Sequence, residues 1–584
     1  MAYNCGMAWR VMRSRGSCLL VVCAVLGCGR GGADGGRERA PGAADDAAAH
    51  PGVPGKREEL LRSDRIYRMH LQLDPAAMAA LADQPRKYVA GALHFGEHRL
   101  ERVAVRFKGH RTLRDWSGKP SFKIHVSRLV KGRRFMGLKQ LILDNNVEDP
   151  TMLRSTLGNF AARELGVAAP RTGFVELRVN DELFGLYTLV EPPDKPFLGR
   201  HFEDATGPLY EGEYGCDLYA GDVVSMELDG GEDPDRRLIA ALATAAAGPL
   251  DALFDADSGL IDAEDFLRFL SVSAVIGDFD GYRHAHNYRL YRDRGRGRWS
   301  FLPWGLDRVL KKEVDPFDHN SLLARKCIAD RGCQLAYVKA LHETSLRFEA
   351  LGLEAKLDAL ERVVRKAAAR DPRRPHDLGK RKRELEKTRR FIRDAPAALR
   401  ARLGCWDGER ELDRDGDGHG CQDCDDQNAA VHPGAREVCN GLDDDCSGLV
   451  DDAPACACER AEAEGQGFAL CDLPMSWEQA ARFCKARGEH LARIATREQS
   501  KALAKEAMKV DDTLWWIGLS DRAREGAMVW HDASEQSFTN WSNGEPDHHA
   551  CGQDCGVLKK GGRWRDMHCG RRRPFICSDS GQSP

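Results

Sequence analysis

Asp278-Phe279-Asp280-Gly281-Tyr282, then Asn287-Tyr288-Arg289-Leu290-Tyr291, then Trp299-Ser300-Phe301-Leu302-Pro303-Trp304-Gly305-Leu306-Asp307 follow one another closely. Together they offer a pair of acids, an amide and a further acid in fixed order. Upstream, residues 66–73 (Ile-Tyr-Arg-Met-His-Leu-Gln-Leu) and 103–107 (Val-Ala-Val-Arg-Phe) alternate in hydrophobicity, which predicts strands. Lys108-Gly109-His110, Lys119-Pro120-Ser121-Phe122-Lys123 and Gly137-Leu138-Lys139 come next. A helix is expected from about Pro150 to Leu165, with Asp149 as N-cap and Pro150 at its first position. A hairpin over 173–190 turns at Asn180-Asp181 and runs into Glu191-Pro192-Pro193-Asp194-Lys195. Asp262 reads as the N-cap of a helix to about Leu270, and 351–403 reads as helix rich in Arg and Lys. That basic stretch lacks the interleaved aromatics that would stack on bases, so no nucleic-acid partner is expected.

This succession resembles the spore-coat-protein-H (CotH) kinase family: Lys-Gly at a strand end, Lys-Pro-Ser-Phe-Lys, Gly-Leu-Lys, Gly-Leu-Tyr, Val-Glu-x-x-Asp-Lys, and the two blocks ending at Tyr291 and Asp307. The resemblance implies an atypical protein-kinase-like α+β domain over 58–403. Phosphoryl transfer requires a cation on the nucleotide phosphates, a carboxylate holding that cation, a divalent metal on carboxylate and amide oxygens, and a carboxylate near the attacking hydroxyl. Lys108 or Lys123 is the candidate cation and Glu191 its anchor. Asp280 is the candidate carboxylate at the acceptor, Asn287 a metal ligand and Asp307 the main one, with Mg or Mn and ATP as cofactors. One departure stands out. The family pattern is Pro-Trp-Asp-x-Asp, and here Gly305 replaces the first Asp. On an extended chain positions 305 and 307 point the same way, which would let Asp307 take the role; otherwise the domain is an inert kinase fold.

Toward the C-terminus, Trp516-Ile517-Gly518-Leu519, Glu545-Pro546-Asp547, Trp564-Arg565-Asp566 and Phe575-Ile576-Cys577 occur in order. They resemble a C-type lectin domain, placed at 456–578 with a tail at 579–584. By that resemblance Cys484 pairs with Cys577 and Cys555 with Cys569. The family's calcium and ligand site falls on Glu545, Asp547, Gln553 and Asp566. Gln553 stands for a usual Glu and Arg565 for the usual Asn. A guanidinium has no acceptor and repels Ca²⁺, so Arg565 is expected to pair with Glu545 or Asp547 and empty the site. The Glu-Pro-Asp sequence mixes two sugar-preference patterns of the family and assigns no sugar. Trp516, Leu519 and Trp564 read as core. Ser476…Gln479 and Thr496…Gln499 read as capping boxes.

Between these domains, 404–455 is a compact acidic module. Asp413, Asp415 and Asp417 alternate before a glycine; Asp425, then Asp443 and Asp445, follow among cysteines. Hard oxygen ligands at alternate positions suit Ca²⁺. The order resembles the MopE-type metal-binding repeat, a family linked by name to copper. Copper would favour imidazole or thiolate, whereas carboxylates dominate here, so calcium is expected.

At the N-terminus, Arg10, Arg13 and Arg15 precede the apolar run Cys18–Leu26, too short to span a bilayer. Val25-Leu26-Gly27-Cys28 resembles a bacterial lipobox, implying a signal peptide over 1–27, a lipidated Cys28, a flexible tether over 28–57 and export to a membrane surface, by resemblance the outer one. Net charge is −3, which excludes a general electrostatic pull toward nucleic acid. Thirteen of the 20 cysteines follow Gly404, a framework that needs an oxidising compartment. Two functions follow: a surface-anchored protein kinase carrying a module for carbohydrate or protein ligands, or an adhesion or scaffold protein whose kinase fold is silent.

Overall fold

A computed structural model describes residues 52–109, 111–212, 215–408, 411–438, 442–446, 458–522, 526–531, 536–547 and 553–579 of the 584. The expected signal peptide, Cys28 and the tether up to residue 51 lie outside these, as do Cys439, Cys456 and Cys551; the tether's end is not flexible but docked, with Val53 buried and bonded to Arg134 O at 3.0 Å and Arg57 buried against Asp194 at 2.9 Å. No helix among the described residues is long and apolar enough to cross a membrane.

The large domain begins with a closed barrel of β1 (Ile66–Gln72), β2 (Val89–Phe95), β3 (His98–Lys108), β4 (Ser121–His125), β5 (Gln140–Asp144), β6 (Thr172–Val179) and β7 (Glu182–Val190), in the order β1-β2-β3-β4-β5-β7-β6, closed by parallel β1 and β6. Period-two alternation turns Val103, Val105 and Phe107 inward onto Phe122, Ile124, Leu141 and Leu143. The alternate positions Arg106 and Lys108 face outward. Since Lys108 pairs with Ser121 and Arg106 with Lys123, one outer face carries all three cations.

A second, mostly helical core follows. It is built on helices Ala263–Val275, Arg331–Ala350, Leu353–Arg370 and Leu378–Arg402 and on the sheet β11-β10-β8-β9. In that sheet β8 is Leu209–Glu211, β9 Glu227–Gly230, β10 Tyr288–Asp293 and β11 Arg298–Pro303. Asp262 caps the Ala263–Val275 helix by accepting from Asp265 N, as expected. The stretch read as one helix over 351–403 breaks at Asp371–Asp377, where Pro372 and Pro375 remove backbone donors. The helix expected from Pro150 begins only at Arg154. Asp149 spends its carboxylate on Thr151 N (2.9 Å), Thr151 Oγ1 (2.6 Å) and Arg154 N (2.7 Å), closing a turn ahead of the helix.

The last domain is a sheet ordered β12-β13-β19-β15-β17-β18, with β14 on β19 and β16 on β15. These are β12 (Cys458–Ala463), β13 (Gln466–Met475), β14 (Glu489–Leu491), β15 (Trp515–Ser520), β16 (Val529–Trp530), β17 (Cys555–Leu558), β18 (Trp564–Met567) and β19 (Arg573–Asp579). Cys484–Cys577 and Cys555–Cys569 are bonded, as the resemblance implied. Trp516, Leu519 and Trp564 are fully buried; Trp564 meets Trp530, Phe538 and Trp541 edge-on. Ser476 forms a full capping box with Gln479, whereas Gln499 turns its side chain to Ala495 N and leaves Thr496 as a simple cap. Four further disulfides join described residues: Cys327–Cys333, Cys405–Cys421, Cys424–Cys446 and Cys458–Cys471. This domain rests on the large one through a polar seam. Glu478, held within its own domain by Arg522 at 2.6 Å, reaches Arg325 of the large domain at 3.6 Å, and His568 Nε2 lies 3.1 Å from Gly215 O.

Candidate active site and metal centres

The β10–β11 hairpin organises the large domain's chemistry. Tyr288 pairs with Pro303, so Asn287 and the Trp304–Asp307 turn lie at one end of it, tied by Trp304 N to Asn287 O at 2.9 Å. Asp280 joins them from the preceding loop. The Asn287 amide nitrogen donates to Asp280 O (2.9 Å) and Oδ2 (3.3 Å), and Arg308 Nη1 reaches the same Oδ2 at 3.1 Å. His286 Nδ1 lies 3.6 Å from Oδ1. Burial opposes ionisation of Asp280, but His286 and Arg308 outweigh it and hold the carboxyl below its usual range. Its neighbour Asp278 goes the other way, pushed up to about 7 by burial and by Asp280. Two carboxyls with separated pKa values are what acid–base work needs.

Across from the hairpin, Lys108 at the end of β3 donates to Asp144 at the end of β5, 2.9 Å away. Burial works against the ammonium, yet Asp144 keeps its pKa raised. Asp307 faces this pair. It is open to solvent in part at its surface yet walled round by protein, and burial followed by the nearby Asp144 carboxylate pushes its pKa well above normal. Two carboxylates therefore share one lysine, a charge deficit that a divalent cation would fill. Mg²⁺ commonly leans on one or two carboxylates plus phosphate and water, and this donor set fits it. The fit is sparse: all four groups of three acidic or cysteine ligands among the described residues lie outside the large domain.

Three expectations change. Glu191 anchors neither lysine. It is fully buried against Arg200 (2.7 Å), Arg57 (3.6 Å) and Arg171 N (2.9 Å), so it ties the end of β7 to the helix Lys195–His201. The anchor is Asp144, and an acid ending the apolar strand Leu141-Ile142-Leu143 was the signal available for it. Lys123 lies opposite Arg106, toward the field of Asp229 on β9 rather than beside Asp144. Positions 305 and 307 do not point alike. Gly305 has φ +63° in a tight turn closed by Asp307 N to Gly305 O at 2.9 Å. A Cβ at 305 would sit 3.1 Å from Cγ and Oδ1 of Asn287. An acid there would adjoin the amide oxygen, while Asp307 adjoins Lys108 and Asp144.

In the acidic module Asp413, Asp415 and Asp417 bring oxygens within 4.8 Å of one another. Asp413 folds the loop by accepting from Gly416 N (2.8 Å) and Gly418 N (3.0 Å). A second group joins Asp443 and Asp445 to Glu437, a residue not foreseen, while Asp425 enters neither group. Asp423 sits with Cys424 and Cys446, but those sulfurs are spent on a disulfide.

In the C-terminal domain Glu545, Asp547 and Asp566 converge within 4.8 Å. Arg565 Nε lies 3.3 Å from Glu545 Oε1, the pairing expected. Burial, then Asp566, pushes Glu545 up to about 7. Gln553 Oε1 is buried with no hydrogen-bond partner among the described residues.

Comparison with known proteins matches these parts in order. Residues 105–399, about half the chain, match the family described as CotH kinase protein. Residues 423–452 match a MopE-type metal-binding motif and residues 473–579 the C-type lectin domain. The inner spore coat protein H of Bacillus subtilis (strain 168) is 22% identical over 341 residues, covering 54% of this chain and 91% of that protein. The C-type lectin domain family 17, member A of Homo sapiens is 32% identical over 114 residues, covering 20% of this chain and only 29% of that protein. Among solved structures, the human scavenger receptor C-type lectin carbohydrate-recognition domain is 31% identical, covering 20% of this chain and 95% of that one, with a TM-score of 0.20.

Proposed function

Because the chain belongs to the CotH kinase protein family, we propose that it transfers a phosphoryl group from ATP to protein hydroxyls and uses its C-type lectin domain to hold a carbohydrate or protein ligand. The observation that carries this reading is the Lys108–Asp144 pair facing Asp307, with Asp280 and Asn287 beside it. Lys108 binds the nucleotide phosphates and Asp144 orients its ammonium. Asp307 and the Asn287 side-chain oxygen hold Mg²⁺ or Mn²⁺, which supplies neutralisation of phosphate charge when bound. Asp280, kept ionised by Arg308, accepts the proton of the acceptor hydroxyl. Purified protein incubated with radiolabelled ATP and Mg²⁺ or Mn²⁺ tests it. Asp307→Ala should abolish nucleotide binding, whereas Asp280→Ala should cut transfer and spare binding. Wild type that binds no nucleotide with either metal sinks the kinase reading.

Two features favour the other reading, a non-catalytic scaffold. Gly305 removes one acid from the metal side, and Arg308 occupies the oxygen of Asp280 that would take the proton. Calcium is the ion proposed for the acidic module, on its carboxylate-only ligands. Attachment to a membrane surface through a lipidated Cys28 is likewise proposed, on the Val25-Leu26-Gly27-Cys28 sequence; the disulfides favour only the export that it requires. Cys28→Ser should move the protein from the membrane to the soluble fraction; retention of the variant refutes the anchor.

A further inference from the structure

A wide cleft of about 920 Å³ lies beside the proposed transfer site. Its walls are the segment between β3 and β4, residues 147–154, Lys311, and the break between the two long C-terminal helices. Its electrostatics are one-sided. Three carboxylates line it, and each has a cationic partner: Glu148 with Arg308 (3.8 Å), Glu182 with Arg373 (2.6 Å) and Glu384 with Arg154 (2.8 Å). Lys119 at its floor is paired with Asp371 at 2.6 Å. Four more cations line the same cleft with no carboxylate in ion-pair range among the described residues: Arg114, Lys311, Arg374 and Lys380. Arg114 donates only to the carbonyls of Arg111 and Leu113, and Arg374 only to those of Ala369 and Asp371. Lys311 packs on the Phe279 ring at 4.6 Å.

The cleft also connects to the chemistry. Glu148 on its wall lies against Arg308, and Arg308 bonds Asp280. Lys311 and Arg308 both pack on the ring of Phe279, the residue before Asp280, at 4.6 and 4.5 Å. A chain lying in the cleft would therefore run toward the carboxylate proposed to take the acceptor's proton. An excess of unpaired cations in a concave site favours a polyanion and opposes a basic chain.

We infer that this cleft binds an acidic or already phosphorylated segment of the acceptor polypeptide and so selects substrates whose hydroxyls are flanked by negative charge. The inference rests on the kinase reading for its consequence but not for binding itself. Burial, then Arg308 and Arg154, lowers the Lys311 pKa, a strain that an anion would relieve.

The test uses the full-length protein, without nucleotide, and two fluorescein-labelled dodecapeptides, one alternating Asp and Ser, the other Arg and Ser. Fluorescence anisotropy should show binding of the acidic peptide only, weakening steeply with added NaCl. The variant Arg374→Glu/Lys380→Glu changes two side chains outside the proposed catalytic set, and its melting curve should match wild type. It should weaken acidic-peptide binding by about tenfold or more. Equal binding of both peptides, or undiminished binding by the variant, overturns the inference. So does full displacement of the acidic peptide by metal-free ATP, which would make the cleft the nucleotide's. With radiolabelled ATP and Mg²⁺ or Mn²⁺ then added, acidic-peptide binding with no phosphoryl transfer upholds the docking site and sinks the kinase. Transfer to both peptides at equal rates does the reverse.

Discussion

Gly305→Asp restores the acid that the family pattern places at this position, and its consequences can be worked from the backbone. Gly305 sits at φ +63°. A left-handed conformation costs an L-residue about 1–2 kcal/mol, with Asp near the lower end because its short polar side chain bonds locally. The new Cβ would stand 3.1 Å from Cγ and Oδ1 of Asn287, so that amide must rotate off its preferred position, at about 0.5–1.5 kcal/mol. Without metal the variant should therefore be about 2 kcal/mol less stable, a fall in Tm of roughly 4 °C for a domain of this size. The same crowding sets a carboxylate beside the free oxygen of Asn287 and in the same turn as Asp307. A bound cation would gain a ligand, and about tenfold tighter binding corresponds to about 1.4 kcal/mol. Thermal melting of wild type and variant across a Mn²⁺ series measures both effects. The variant should start lower, respond at about tenfold less Mn²⁺ and close the gap at saturation. A variant that loses stability but shows the wild-type Mn²⁺ midpoint would refute the reasoning, since position 305 would then face no metal.

Other outcomes are equally open to measurement. Lys119→Met leaves Asp371 buried with its oxygens turned to backbone amides alone, and loss of one partner from a buried pair costs about 3–5 kcal/mol; denaturant melts within 1 kcal/mol of wild type would show that the pair is not structural. Calcium at a hundredfold excess over its Kd should stabilise the acidic module by about 2.7 kcal/mol through linkage, and Asp413→Ala/Asp417→Ala should remove that gain in calorimetry of the full chain. At the C-terminal site, Glu545 is raised to about 7 from 4.5, so its contribution to stability is intact below about 4.5 and lost as pH rises through 7. Arg565 holds Glu545, so Ca²⁺ should bind there weakly in the wild type, and Arg565→Asn, which offers an acceptor oxygen in place of a cation, should tighten it; titrations with equal affinities for both proteins count against exclusion by Arg565.

Local chemistry made much of this protein legible in its sequence. Alternation located the barrel strands around Phe107 and the hairpin at Asn180-Asp181, because which face a strand residue takes depends only on parity. Asp262 and Ser476 announced helix starts because a cap acts within three residues. The ordered Trp, Glu-Pro-Asp and Cys motifs carried the C-terminal fold and two of its disulfides. Arg565 against Glu545 followed from charge alone. Tertiary structure decided what depends on who meets whom. Asp144, not Glu191, holds Lys108, because the β3–β4 and β4–β5 registers bring Lys108 and Asp144 to the same end on either side of Ser121, while the end of β7 sets Glu191 among three arginines. Gly305 and Asp307 diverge because a positive φ breaks the extended alternation that sequence spacing assumes. Glu437 replaces Asp425 beside Asp443 and Asp445 because the loop folds back across its own cysteines. The basic cleft exists only because the break at Asp371–Asp377 packs against the segment between β3 and β4, more than 250 residues away in the chain. Spacing along a chain specifies neighbours within a turn or a strand; charge balance in a cleft belongs to groups that only folding brings together.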